Sequence, residues 1–177
     1  MIYLFASDIH GSSSATQRLL DILQSTQAKK LILLGDLLYH GPRNALPSQY
    51  NPQLVSMLLN NHAKSIISVR GNCEAEVDQL MLSFPVLSQS AWMMVGDLEL
   101  YLHHGHVALP PLSEGTVVVS GHTHIPLLEE RDGLIYFNPG SIALPKGGYE
   151  PSYGILEGRT FSIIGLESDK TLMSLAI

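Results

Sequence analysis

Five short apolar runs in this chain each stop at a glycine-flanked residue able to bind a metal ion, and this recurrence restricts the fold more than any other feature. Met1–Ala6 leads into Asp8, His10 and Gly11. Leu31–Leu34 leads into Gly35-Asp36, and Ile66–Val69 leads into Gly71-Asn72. Leu98–His103 leads into His104-Gly105, and Val117–Ser120 leads into Gly121-His122-Thr123-His124. Apolar runs of this length bounded by turn residues read as buried strands. In open α/β sheets, binding sites gather at the carboxyl ends of strands. Glycines at those ends permit tight turns and close approach of one backbone to another.

Between these runs the first 80 residues alternate strand and helix signals. Ser12–Ser14 offers an N-cap, and Ala15, Leu19, Ile22 and Leu23 follow at helical spacing. Asn51-Pro52 is a cap followed by proline at the first helical position, with Leu54, Val55, Leu58 and Leu59 as the apolar face. Val77, Leu80, Met81 and Phe84 mark a short helix that Pro85 closes. The second half reads mostly as strands. Gly96-Asp97, as a type I′ turn, and Asp132-Gly133 each join a hairpin, and a third turns at Glu157-Gly158. Two sheets packed face to face with helices outside accommodate both halves. The methionines Met57, Met81, Met93, Met94 and Met173 read as core or gap-filling residues.

At 177 residues the chain has the length of one domain, expected to span 1–177, and 45% hydrophobic residues can build its core. The net charge of −6 disfavours sequence-independent binding to nucleic acid or an anionic membrane. No apolar run reaches the ~20 residues that cross a bilayer, and no signal peptide is evident at the N-terminus. A single cysteine, Cys73, rules out an internal disulfide framework and a cysteine-rich zinc site. A reducing, cytoplasmic location is the expectation.

The set Asp8, His10, Asp36, Asn72, His104, His122 and His124 holds two carboxylates, one amide and four imidazoles. That is too many ligands for one ion and suits two ions sharing a carboxylate. Without a thiolate, it favours Mn, Fe, Co, Ni or Zn. Paired ions recur in the hydrolysis of phosphate esters. Each residue alone has an ordinary reading: a turn at Asp36, a cap at Asn72, a core histidine at His104. Five coincident strand ends make those readings jointly improbable.

Ser7-Asp8-Ile9-His10-Gly11, Gly35-Asp36, Gly71-Asn72-Cys73-Glu74, His104-Gly105-His106, Gly121-His122-Thr123-His124 and Asn138-Pro139-Gly140-Ser141 resemble, in order, the motifs of the calcineurin-like metallophosphoesterases. Chain length and the segment from His40 to Pro47 resemble the small bacterial YfcE-type phosphodiesterases of that superfamily. The resemblance implies an α/β fold, a four-layer α/β/β/α sandwich of two mixed sheets flanked by helices. It implies two divalent ions per subunit, most simply Mn²⁺, with Zn²⁺, Fe²⁺, Ni²⁺ or Co²⁺ able to substitute. Asp8, His10 and His124 would hold one ion, Asn72, His104 and His122 the other, and Asp36 would bridge. A hydroxide between the ions would attack phosphorus, with Asn72 also orienting a phosphoryl oxygen. Larger relatives carry histidine where this chain has Cys73, and a thiol of ordinary pKa is a weak general acid at neutral pH. The expected activity is therefore hydrolysis of phosphodiesters with good leaving groups, with Cys73 either assisting or simply packing.

Other residues have less defined roles. His106 would either fix the His104 ring or touch substrate. Arg43, with His40 in the same loop, is the candidate substrate clamp, because guanidinium matches phosphate bidentately. Lys146 reads as a solvated loop charge. His103 precedes His104 and should point to the opposite face of its strand. A phosphomonoesterase of the same chemistry is the alternative, and a non-catalytic interaction scaffold the more distant one. The expected partner is a small phosphodiester, with neither nucleic acid nor membrane. Exposed sheet edges and the resemblance both point to a homo-oligomer, a dimer or tetramer.

Overall fold

The computed structural model describes residues 1–177. Strand β1 (Ile2–Ala6) buries alternate side chains on opposite faces, Leu4 and Ala6 on one, Tyr3 and Phe5 on the other. Helix α1 (Ser13–Thr26) follows, capped by Ser12, whose hydroxyl accepts from Ala15 N. Strand β2 (Lys30–Leu33) pairs parallel with β1, and helix α2 (Pro52–Asn60) begins at the Asn51 cap, whose Oδ1 accepts from Leu54 N at 3.0 Å. Such caps contribute about 1 kcal/mol each. Strand β3 (Ile66–Ser68) pairs parallel with β2, and the short helix α3 (Glu76–Met81) is the last helix in the chain.

From there the chain forms strands only. They are β4 (Ser90–Val95), β5 (Leu98–His103), β6 (Val117–Val119), β7 (Leu127–Arg131), β8 (Leu134–Asn138), β9 (Ser152–Glu157), β10 (Thr160–Gly165) and β11 (Thr171–Ala176). Two mixed sheets result, a six-stranded one in the order β11-β10-β9-β1-β2-β3 and a five-stranded one in the order β4-β5-β6-β8-β7. In the six-stranded sheet the parallel strands β1, β2 and β3 run to one edge and the antiparallel strands β9, β10 and β11 complete the other side, whereas in the five-stranded sheet a parallel centre of β5, β6 and β8 is flanked by the antiparallel edge strands β4 and β7.

Two apolar cores follow from this arrangement. One lies between the six-stranded sheet and the helices and joins Leu4, Leu31 and Leu33 to Leu19, Leu23, Val55 and Leu59. The other lies between the sheets and joins Phe5, Ile32 and Phe161 to Leu100, Val119 and Phe137. The Phe5 and Phe137 rings meet edge to face at 5.3 Å, a favoured aromatic geometry. Gly154 makes this packing possible, because a Cβ there would collide with the Phe137 ring.

Three local expectations are corrected. The Gly96-Asp97 turn has positive φ at Gly96 only, the type II′ pattern, whereas Asp132-Gly133 has positive φ at both residues, the type I′ pattern. Of the methionines expected in the core, Met57, Met81 and Met94 are exposed. Leu54 on α2 is exposed as well, and on α3 Val77 and Leu80 join Met81 in facing outward instead of into the core. A helix of six residues has too short a face to bury all of them, and Leu82 and Phe84 beyond it do the packing. No helix is long and apolar enough to cross a membrane.

Candidate metal centre

The carboxyl ends of β1, β2, β3, β5 and β6 bring the predicted residues to one place. Asp8 Oδ1 lies 3.6 Å from His10 Nε2, 3.3 Å from His124 Nε2 and 4.0 Å from His104 Nε2. Asp36 Oδ2 lies 3.7 Å from His10 Nε2 and 3.5 Å from His104 Nε2. Asn72 Oδ1 approaches His104 Nε2 at 3.2 Å. The His122 ring packs against that of His104, with centroids 5.1 Å apart. Asp8, His10, Asp36, His104 and His124 are buried, whereas Asn72 is exposed and His122 half-buried, which leaves one side open to solvent.

The turns that hold these side chains are strained. Asp8, His10, Asp36, His122 and His124 all have positive φ, a region that costs non-glycine residues free energy and recurs at functional sites. Hydrogen bonds between turns hold them there. His10 N donates to Asp36 O, Asp8 N donates to Gly35 O, and His122 N donates to Asp8 Oδ2. Gly71 is obligatory, since a Cβ there would run into the Asp36 carboxylate and backbone.

Three of the four imidazoles are aimed inward by backbone carbonyls. His10 Nδ1 donates to Tyr39 O at 2.8 Å, His104 Nδ1 to Leu34 O at 2.6 Å and His124 Nδ1 to Leu144 O at 2.5 Å. That places a hydrogen on Nδ1 and turns each Nε2 toward the carboxylates, where it takes up a proton in the metal-free protein or offers a lone pair to an ion. Asp8 Oδ1 is buried with no hydrogen-bond partner. Lone pairs and an unpartnered buried carboxylate oxygen converging in this way fit a cation, and carbonyl-oriented imidazoles are the usual surroundings of bound metal. Asp8, His10 and His124 form one group that could hold an ion, and Asp8, Asp36 and His104 form another. Burial pushes the Asp8 carboxyl up, but His10, His124 and the charge of His104 outweigh it and hold it well below the usual carboxylate range.

Over residues 1–160 the chain matches the calcineurin-like phosphoesterase superfamily domain. It is 45% identical over 181 aligned positions to the phosphodiesterase YfcE of Escherichia coli K12, with 100% of this chain and 98% of that protein covered. The chain belongs to the calcineurin-like phosphoesterase superfamily. The solved structure of the E. coli phosphoesterase YfcE superposes with a TM-score of 0.98 at 45% identity, covering 100% of both chains. Vacuolar protein sorting 29 from Cryptosporidium parvum shares the fold at a TM-score of 0.65 and 19% identity, over 99% of this chain and 98% of that one.

At the open side of this cluster lies a polar cavity of about 430 Å³ lined by Asp36, Arg43, Asn72, His122, His124 and Lys146, among others. Arg43, the residue expected to clamp substrate, lines this cavity. Lys146, expected to be a solvated loop charge, lines the same cavity, brought there by the bond from its N–H to His124 O. His40 does not line it. Its ring packs between Tyr39 and Tyr50, at 4.8 and 5.3 Å. His106 does not fix the His104 ring, whose Nδ1 is held by Leu34 O; the two rings merely meet at 5.3 Å. His103 is buried on the opposite face of β5 beside Tyr101. Burial and the nearby charge of Asp36 push the Cys73 thiol well above its ordinary range.

Glu74 is the residue that sequence reasoning missed. Buried, it accepts from Asp36 N at 3.0 Å, Leu37 N at 2.7 Å and Gly71 N at 2.5 Å, so one carboxylate ties the turn carrying Asp36 to the turn carrying Asn72. Burial and Asp36 push its carboxyl up to about 7 despite those bonds. A carboxylate within the motif was visible, but its inward direction was not. Ser141 has a similar role. Its hydroxyl donates to Asp8 O and accepts from Leu144 N, linking Asp8 to the residue whose carbonyl orients His124.

Proposed function

We propose that this chain is a metal-dependent phosphodiesterase with a dinuclear centre. Asp8, His10 and His124 hold one divalent ion, Asn72, His104 and His122 hold the other, and Asp36 bridges them. The observation that carries the reading is the convergence of three carbonyl-oriented imidazoles on two buried carboxylates. Manganese is the proposed occupant, with zinc, iron, nickel or cobalt as substitutes. Such ions supply Lewis acidity that makes water nucleophilic near neutral pH and offsets charge on phosphoryl oxygens.

The chain's own residues do the rest. Asn72, exposed at the rim, orients a phosphoryl oxygen. Arg43 and Lys146 draw the anionic ester into the cavity. Burial and Asp36 hold the Cys73 thiol above its ordinary range, which makes it a poor proton donor, so turnover favours leaving groups that need no protonation. This disfavours alkyl monoesters, and the name of the E. coli relative supports the diester reading.

The test is an assay of metal-stripped protein on bis-p-nitrophenyl phosphate and p-nitrophenyl phosphate, with and without Mn²⁺, beside Asp36→Asn. Mn²⁺-restored hydrolysis favouring the diester, lost in the variant, is expected. A folded protein that turns over neither ester with any divalent ion would overturn the reading, and preference for the monoester would replace it with a phosphomonoesterase.

A further inference from the structure

A second cavity, of about 310 Å³, adjoins the metal centre at Cys73, which lines it and not the polar one. Its volume matches the lower end of ligand-binding clefts (~300–1,000 Å³). It is apolar, walled by Leu38, Tyr39, Tyr50, Cys73, Val77 and Met81. Two of these residues tie it to the centre. Cys73 Sγ lies within 4.8 Å of ligand atoms of both His10 and Asp36. Tyr39 supplies the carbonyl that orients His10. At the mouth, Val77 is 60% exposed and Met81 41% exposed, so apolar surface stays uncovered beside a polar site. Arg43 and Lys146 lie in the other cavity, which shares Asp36 and Asn72 with the centre.

A phosphoryl group at Asp36 therefore has two unlike directions in which to extend ester groups, one apolar and ring-lined, the other cationic. We propose that the apolar cavity is a specificity subsite. It takes a ring-sized apolar ester group of an asymmetric phosphodiester whose other, polar arm faces Arg43 and Lys146. This rests on the phosphodiesterase reading and adds the substrate class. Burial of one ring in such a pocket discriminates against its absence by about tenfold or more.

The test is calorimetry on the Mn²⁺-loaded protein with phenylphosphonate and methylphosphonate, which share a head group and differ by the ring. Wild type should bind phenylphosphonate about tenfold more tightly. Met81→Trp, which fills the mouth, and Val77→Asp, which charges it, should shrink that ratio to below about threefold. The methylphosphonate Kd should stay unchanged in both, which also shows that the centre is intact. Equal binding of the two ligands by wild type, or a ratio unmoved by both variants, overturns the proposal. So does a ratio of one combined with a dimer that Met81→Trp dissociates, which would assign the surface to a second copy of the chain. Absence of diester hydrolysis with the ratio intact would fault the proposed reaction and still support the pocket.

Discussion

His10 Nε2 and His124 Nε2 face each other at 3.4 Å, although 114 residues separate them in sequence. Each ring gives its Nδ1–H to a backbone carbonyl, so two lone pairs point at one another beside Asp8. Only a shared proton or a cation makes that arrangement favourable. Mn²⁺ should therefore raise the melting temperature by about 5 °C or more at saturating concentrations. Differential scanning fluorimetry of wild type and His10→Gln checks this; an equal rise in both would contradict it.

Protons and metal compete for the same atoms. In the metal-free protein, burial pushes His104 down, but Asp36, Asp8 and the Leu34 carbonyl outweigh it and raise its pKa to about 9. A folded-state value above the unfolded 6.5 means that its contribution to stability is full below pH 6.5 and is lost as pH rises through 9. The metal-free protein should lose stability across that window. The Mn²⁺-loaded protein should not, and its formation should release protons. Urea titrations at pH 6, 7.5 and 9 decide between these slopes.

Glu74→Gln keeps the shape but replaces one acceptor oxygen with an amide nitrogen facing backbone N–H groups. The expected cost is about 1–3 kcal/mol of stability, with Mn²⁺ affinity weakened about 10–100-fold. Chemical denaturation and metal titration measure the two separately, and unchanged affinity would rule out the positioning role.

Ser141→Ala removes a donor to Asp8 O and an acceptor for Leu144 N. Because Leu144 O orients His124, metal affinity should fall about tenfold, with the loss confined to the ion near Asp8. A titration that resolves two binding steps should show one step weakened and the other unmoved.

Cys73→Ala tests the proton question. A thiol held well above its ordinary range by burial and Asp36 keeps its proton and is a poor donor at neutral pH. The variant should keep kcat on bis-p-nitrophenyl phosphate within about fivefold, with an unaltered pH–rate profile. Loss of one limb of that profile would make Cys73 a proton donor.

Arg43→Ala and Lys146→Ala should each raise KM for the diester about tenfold while kcat changes less than about threefold, the mark of uniform binding. Steady-state kinetics settles it, and a collapse of kcat instead would place either residue at the transition state.

Much of the site was legible in the sequence because each of its turns is local. A strand that ends in glycine beside Asp, Asn or His announces itself within a few residues, as Gly35-Asp36 and Gly121-His122-Thr123-His124 do. The caps at Ser12 and Asn51 were legible for the same reason. Contacts that depend on distant packing were not. Lys146 reaches the polar cavity only because its N–H bonds to His124 O, and Glu74 matters only because two turns meet around it. The outward faces of Val77, Leu80 and Met81 contradict their apolar character, since periodicity shows that a helix has an apolar side and not what that side meets. The sequence by itself determined the order of strands and helices and the residue types at each strand end. Only the tertiary structure decided the ring tautomers, the strained turns and the pairing of an apolar with a cationic cavity, because these arise where segments separated in sequence, by 20 residues at His124 and Leu144 and by 133 at Ser141 and Asp8, share hydrogen bonds.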